Sequence, residues 1–326
     1  MPASMPRRIN YLRMSITDRC NLRCGYCTYW QKFERLSPGE ILSYEELLRL
    51  AAVAARIGIR KIRITGGEPL VRRGVVDFIK GLHRVPGLDE VCLTTNGVLL
   101  PELAPALYEA GLRHLNISLD TLRRERYLEI TGRDNWQEVM AGLEMALSLG
   151  FQPLKINCVV LKGINDDELM DLALLTQYHP VQVRFIELMP TVSQDWWERH
   201  YFPTSAVLRQ LAGLGRLSPV IPAATAGPAR VFRAPGFQGE LGFISPMSNH
   251  HCSSCNRLRL TTAGQLRPCL LRSMEFDFKA SLRQGVSDFL LGFLFKEAIR
   301  LKQKKEYSLP ISRAVYNDFS MVSIGG

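Results

Sequence analysis

The feature that most constrains the fold is an alternation. Over the first ~215 of 326 residues, strand-like runs take turns with helix-like ones, the mark of a parallel α/β architecture. The strands expected are Tyr11–Ile16, Lys61–Thr65, Glu90–Thr95, His114–Leu119, Leu154–Val160 and Val181–Glu187. Helices fill the gaps. Ser43-Tyr44-Glu45-Glu46 has a capping-box pattern and Gly58 stops that helix, while Pro101, Asn135, Asp166 and Pro203-Thr204 lie near the starts of others. The repeats predict an incomplete (β/α)6, TIM-like barrel, with a doubly wound open sheet as the alternative.

These strands carry an unexpected pattern. Parallel strands buried under helices are usually apolar on both faces. Here Arg13, Ser15 and Thr17 oppose Leu12, Met14 and Ile16, and Lys61, Arg63 and Thr65 oppose Ile62 and Ile64. His114, Asn116 and Ser118 alternate with Leu115, Ile117 and Leu119; Lys155 and Asn157, then Gln182 and Arg184, repeat the scheme. The period of two is that of a strand. The apolar sides suit outer helices. The polar sides then line a wide cavity for a large, charged ligand.

After Gly215 the pattern changes to short strands, Leu217–Pro222, Ala229–Ala234 and Leu241–Ile244, broken by Pro and Gly. A hairpin is expected from Arg257–Thr261 to Gln265–Cys269 around Ala263-Gly264, followed by helices near Ser273–Leu282 and Val286–Lys302. Residues 1–215 thus read as the partial barrel. Residues 216–326 read as a smaller C-terminal α+β domain.

The formal net charge is +10 and the pI is near 9.3, which favours an anionic partner. The N-terminus lacks the apolar core of a secretory signal, and Phe289–Phe295 is far short of the ~20 residues that span a bilayer. A soluble, cytoplasmic protein with no membrane partner is the expectation. In that reducing setting, grouped cysteines point to metal or redox chemistry rather than disulfides.

Three cysteines form a C-x3-C-x2-C run, Cys20, Cys24 and Cys27, with Tyr26 before the last. Zinc sites usually use C-x2-C pairs and complete four ligands. Three thiolates on a [4Fe–4S] cluster leave one iron open to a small molecule, and the x3 step points that way. A second set, Cys252, Cys255 and Cys269, has C-x2-C-x13-C spacing. Spacing alone leaves it open between a cluster and a structural Cys3His zinc site completed by His250 or His251. Cys92 and Cys158 stand alone in strand-like runs and read as small buried hydrophobes.

With Thr65-Gly66-Gly67-Glu68-Pro69 after the second strand, the first cysteine run resembles the radical S-adenosylmethionine (SAM) superfamily. The distal cysteines, the run Cys255-Asn256-Arg257-Leu258-Arg259-Leu260 and the terminal Gly325-Gly326 narrow the likeness to the GTP 3′,8-cyclase family of molybdenum cofactor biosynthesis. It extends from about Arg13 to Gly326.

The resemblance implies two [4Fe–4S] clusters, SAM as cofactor and GTP as substrate. SAM would chelate the open iron at Cys20, Cys24 and Cys27 and yield a 5′-deoxyadenosyl radical. Tyr26, Gly67, Glu68, Ser118 and Met189 map to SAM. Arg13, Arg63, Thr94, Lys155, Arg257, Leu258 and Arg259 map to the nucleotide, and Arg184 joins them as a base on a polar strand face. Arginine forks suit phosphate. The second cluster, on Cys252, Cys255 and Cys269, would bind guanine at its open iron, across a positively lined chamber from the first. Gly325 and Gly326 would reach into the active site. The implied reaction takes the ribose 3′ hydrogen of GTP, joins C3′ to C8 and gives (8S)-3′,8-cyclo-7,8-dihydroguanosine 5′-triphosphate. An electron donor, the cyclic pyranopterin monophosphate synthase that follows in the pathway, and a homodimer are the partners implied.

Two segments depart from the family pattern: Thr28-Tyr29-Trp30 after Cys27, and the paired Trp196-Trp197. Both are expected to alter a lid over the SAM site. The rival readings are a radical SAM enzyme acting on a peptide, which has no need of the arginines, and a basic zinc protein that binds nucleic acid. The first leaves the arginines without a role, and the second does not call for the C-x3-C-x2-C run or the polar-faced strands.

Overall fold

The computed structural model describes residues 7–27, 35–223 and 225–308. Gly325, Gly326 and Thr28-Tyr29-Trp30 lie outside them.

The chain runs β1 (Tyr11–Ser15), α1 (Tyr44–Arg56), β2 (Lys61–Thr65), α2 (Val75–His83), β3 (Glu90–Thr95), α3 (Leu100–Glu109) and β4 (His114–Ser118). Next come α4 (Arg124–Thr131), α5 (Trp136–Ser148), β5 (Leu154–Val160), α6 (Leu169–Tyr178) and β6 (Val181–Glu187). Then follow α7 (Gln194–His200), α8 (Thr204–Gln210), β7 (Ser218–Pro219), β8 (Arg230–Arg233), β9 (Glu240–Ile244) and β10 (Arg257–Leu260). The last elements are β11 (Gln265–Arg267), β12 (Phe276–Asp277), α9 (Phe278–Arg283) and α10 (Asp288–Gln303). Strands β1 to β6 match the expected ones to within a residue, and the fold is α/β with a mostly parallel sheet.

The chain forms two compact units. The first takes in the described parts of Met1–Arg19, Glu34–Cys92 and His251–Gly326. Its strands run β12-β11-β10-β1-β2, with β1 parallel to both β2 and β10. The β10–β11 hairpin closes at Gly264, whose φ of +80° is ready for glycine alone. The C-terminal segment 273–282, expected to be helical, begins instead as β12, because Phe276 and Asp277 pair with β11. Asp277 then caps α9 by accepting from the Ala280 amide.

Helix α1 starts where its code says. Ser43 accepts from the Glu46 amide at 3.2 Å, and Glu46 accepts from the Ser43 amide at 2.7 Å. Leu47, Leu50, Ala51, Val53 and Ala54 face inward and are buried, as are Leu12, Met14, Ile62 and Ile64 on the strands. Each large apolar side chain of this kind contributes ~1.5–3 kcal/mol. Helix α10 lies close to α1 through Gly292, where a Cβ would stand 3.7 Å from Ile57 and 3.8 Å from Val53.

The second unit takes in the described parts of Cys20–Phe33 and Leu93–His250. Its strands run β4-β5-β6-β9-β8-β7, with β4, β5, β6 and β9 mutually parallel and β8 and β7 antiparallel. Leu115, Ile117, Ile156, Cys158, Val183 and Phe185 form the buried apolar side, and Phe185 stacks on Phe243 of β9 at 6.1 Å. Helices α3 and α5 approach closely at Gly142, where a Cβ would meet the Gly97 carbonyl at 2.6 Å.

Candidate active site

In the second unit the loop of Cys20, Cys24 and Cys27 is sewn to the end of α4. The Arg23 amide donates to the Thr131 carbonyl at 2.7 Å and the Gly25 amide to the Ile130 carbonyl at 2.9 Å. Gly132, with φ +64°, allows this approach: a Cβ there would sit 3.1 Å from the Arg23 Cβ. Asn96 Nδ2 donates to Asn21 Oδ1 at 2.7 Å and reaches the Cys20 sulfur at 3.9 Å. The three thiols are half-buried and close enough to act on one another. Burial, then the Asp120 carboxylate, Cys27 and Cys20, push the Cys24 thiol up.

Tyr26 is held at both ends. Its hydroxyl donates to Asp120 Oδ2 at 2.5 Å, and its carbonyl accepts from Thr191 Oγ1 at 3.0 Å. Asp120 Oδ1 takes the Val159 amide at 2.8 Å, and the Asp120 carbonyl takes Asn165 Nδ2 at 2.8 Å. Burial raises Asp120 to about 6 against these two bonds to its carboxylate. Asp120, Asn96 and Thr191 were not singled out from the sequence. Asp120 and Asn96 do follow β4 and β3 at their C-terminal ends, where α/β folds place their sites.

Ser118 ends β4 opposite Asn157, and the Met189 carbonyl accepts from the Thr191 amide at 2.8 Å. Thr94 lies on β3, and Lys155 pairs in register with Asn116. Arg184 Nε donates to Gln182 Oε1 at 2.5 Å. Gly242 stands opposite Arg184, and a Cβ there would crowd its Cγ to 2.9 Å. Trp197 is a core residue, and Tyr26 and Trp196 pack against its cluster. Trp197 is buried among Leu161, Leu188 and Val192, stacks on Tyr201 at 4.8 Å and donates to the Leu188 carbonyl at 2.9 Å.

In the first unit the Gly66-Gly67-Glu68 turn packs on the end of β1. The Gly67 amide donates to the Thr17 carbonyl and the Glu68 amide to the Arg19 carbonyl, both at 2.8 Å. A Cβ on Gly66 would lie 2.6 Å from the Thr17 oxygen. Glu68 is buried, and its Oε1 accepts from the Leu70 amide at 3.0 Å.

The same unit lines up four guanidiniums. Arg13 stands opposite Arg63 on one side and Arg259 on the other; one row away, Tyr11 stands between Lys61 and Arg257. Arg63 Nε donates to the Tyr11 hydroxyl at 2.7 Å, while Lys61 is neutralised by Glu90 at 2.6 Å. Burial, then Arg13 and Arg257, push Arg259 well below its ordinary value. Burial brings Arg13 down to about 10, with Tyr11 opposing and Arg257 and Arg63 adding to the fall. Arg13 Nε is buried with no acceptor among the described residues. Cations crowded in this way favour a polyanion. Leu258 points the other way, fully buried beside Leu12, so only its backbone borders the cationic side.

Cys252 opens a short turn in which the Cys255 amide donates to the Cys252 carbonyl at 3.4 Å. Burial, then the Cys269 and Cys255 sulfurs, raise the Cys252 thiol. Burial also works against a Cys255 thiolate, but Arg257 and Lys302 overcome it and bring that thiol down to about 6. His251 Nε2 lies 2.9 Å from the Arg257 guanidinium, which engages one of the two histidines a Cys3His site was expected to use. Three soft sulfur donors in each trio are the chemistry that an iron–sulfur cluster takes.

Comparison with known proteins agrees with this chemistry. Residues 14–176 match the Radical SAM superfamily, and residues 181–308 match Molybdenum Cofactor Synthesis C. A GTP 3′,8-cyclase of Pelotomaculum thermopropionicum is 46% identical, covering 95% of this chain and 96% of its own length. One from Moorella thermoacetica is 47% identical, over 94% and 95%. Among solved structures, Streptococcus suis SuiB bound to S-adenosylmethionine aligns with a TM-score of 0.60 at 14% identity, over 89% of this chain and 68% of SuiB, a likeness of fold alone. Two cysteine trios, a cationic three-strand face and near full-length identity to these cyclases lead to one assignment: the chain belongs to the GTP 3′,8-cyclase family of radical SAM enzymes.

Proposed function

We propose that the protein is a GTP 3′,8-cyclase that makes (8S)-3′,8-cyclo-7,8-dihydroguanosine 5′-triphosphate, the first step toward molybdopterin. Its cofactors are two [4Fe–4S] clusters and SAM. When bound, the first cluster and SAM supply the one-electron chemistry that takes the ribose 3′ hydrogen, so that C3′ bonds to C8 of guanine.

One observation carries the reading of the substrate. Strand β10 leaves Cys255 and, within four residues, presents Arg257 and Arg259 beside Arg13 and Arg63. A base near the distal cysteines and a triphosphate along that row are then the natural arrangement, a catalysis by positioning. Arg13, Arg63, Arg257 and Arg259, with the Leu258 backbone, would hold the phosphates. Thr94, Lys155 and Arg184 are assigned to the nucleotide as well. Cys20, Cys24 and Cys27 would bind the SAM cluster, with Tyr26, Gly67, Glu68, Ser118 and Met189 toward SAM; Cys252, Cys255 and Cys269 would bind the other. In this reading residues 1–215 form the SAM module and 216–326 the substrate-cluster module. Gly325 and Gly326 are assigned to the active site as well, so deleting both should damage turnover more than folding.

No described helix is long and apolar enough to cross a membrane, in keeping with a cytoplasmic enzyme. A low-potential reductant, a homodimer and the next enzyme of the pathway, cyclic pyranopterin monophosphate synthase, are the partners we assign. Anaerobic reconstitution tests the reading through release of 5′-deoxyadenosine with GTP, with a peptide or with neither. Release that depends on GTP and yields the cyclised nucleotide is expected. Equal release with peptide, or none with GTP, would overturn it.

A further inference from the structure

Lysine is seldom buried unless it is paired. Lys302, in the last turn of α10, is 3% exposed. Its Nζ donates at 2.6 Å to the carbonyl of Pro268, the residue before Cys269. A neutral carbonyl balances little of a buried ammonium. Burial lowers the Lys302 pKa; the Cys255 and Cys269 sulfurs that it faces oppose that fall, and Arg257 and Arg7 add to it. The Lys302 carbonyl in turn accepts from Arg7, whose other terminal nitrogen donates to the Cys252 carbonyl. Arg7 and Lys302 thus clamp the Cys252 turn and the Cys269 loop to the end of α10. The cysteine set of the second unit is different, since the charged side chain facing Cys24 there is the buried Asp120 carboxylate.

The geometry points to Lys302 as a positioning residue for the distal cysteines, one that holds a buried positive charge against their cluster and makes that cluster easier to reduce. Taking up an electron adds negative charge, and a fixed cation in a poorly screened interior favours the reduced form. Arg7 keeps the clamp in place from the other side. The inference rests on the reading that Cys252, Cys255 and Cys269 carry a cluster.

The test uses the full-length protein, reconstituted anaerobically, both otherwise intact and with Cys20, Cys24 and Cys27 replaced by alanine so that the distal cluster alone reports. Iron and sulfide content and a redox titration followed by electron paramagnetic resonance are measured for Lys302→Met and Lys302→Arg. At a fixed poise Lys302→Met should lower the ratio of reduced to oxidised cluster about tenfold, which is 59 mV for a one-electron couple, and Lys302→Arg should keep most of it. A Lys302→Met protein with full iron and an unchanged titration overturns the proposal. If that variant does not fold, Lys302→Gln keeps a donor for Pro268 and gives the same readout. Loading that fails in Met and Gln but survives in Arg supports a need for positive charge; failure in all three while the chain stays folded means shape alone matters and overturns it. An unsubstituted protein that binds only one cluster sinks the underlying reading, and the Lys302 role with it.

Discussion

The Tyr26 hydroxyl donates to the Asp120 carboxylate at 2.5 Å, joining the middle of the cysteine loop to the end of β4. Asp120 also serves the Val159 amide with its other oxygen, so both carboxylate oxygens are committed to donors. Asparagine has one acceptor oxygen in place of two. In Asp120→Asn, Oδ1 can still take the Val159 amide, but Nδ2 can only donate, so the Tyr26 proton loses its charged acceptor, at ~1–3 kcal/mol. The expected result is a first cluster that loads less iron and a 5′-deoxyadenosine yield down about tenfold or more, with the distal cluster intact. Iron content of a chain lacking the distal cysteines, together with product release, checks this.

The row of arginines sets binding against stability. Arg259 is buried beside Arg13 and Arg257, and all three carry the same charge. Replacing it by methionine, similar in length, removes repulsion and desolvation cost in the empty protein but also the favourable field of Cys255 and Tyr11. The melting temperature of Arg259→Met should therefore change less than its affinity, a trade familiar where function strains a fold. Its GTP affinity should fall about 10- to 100-fold, the worth of one charge-assisted bond. Calorimetry without ligand and a GTP titration read the two effects separately.

Gly242 is a packing requirement rather than a turn. A methyl there would stand 2.9 Å from the Arg184 Cγ, and the arginine would have to swing away from Gln182. Gly242→Ala should cost ~1–3 kcal/mol through overpacking and weaken GTP binding several-fold. Arg184→Ala should weaken binding without the same loss of stability. If Gly242→Ala binds GTP as the parent does, Arg184 has no part in nucleotide binding.

Asp288 ties the start of α10 to α1. It accepts from Arg49 Nε at 2.8 Å and from Arg56 at 2.5 Å, and those two bonds hold its carboxyl below the usual range. The folded protein thus binds this proton less tightly than the unfolded chain. The stabilisation is present above the ordinary carboxylate pKa and is lost as pH falls through the lowered folded value. The pair is partly exposed, so Asp288→Asn should cost only ~0.5 kcal/mol near neutral pH. Urea unfolding should give that gap at pH 7 and a vanishing one at pH 2–3; a gap that persists in acid would mean the contribution is not electrostatic.

Much of this molecule was legible in one dimension because its signals are local. The alternation of Arg13 with Leu12 and Met14, or of Arg63 with Ile62 and Ile64, is a property of neighbouring residues, so β1 to β6, and the polar sides of all of them but β3, followed directly. The cysteine spacings and the Ser43 cap are likewise short-range. Pairing between distant segments is not. That β10 lies in parallel beside β1, putting Arg259 opposite Arg13, depends on a contact across ~245 residues, which no window of sequence contains. The same holds for Phe276 and Asp277, drawn into a strand by β11, and for Asp120, Arg7 and Lys302, whose partners are brought to them by tertiary packing. Residue type and spacing determined which chemistry the chain can hold. The fold decided which charges surround it, because burial and register set the field each side chain feels.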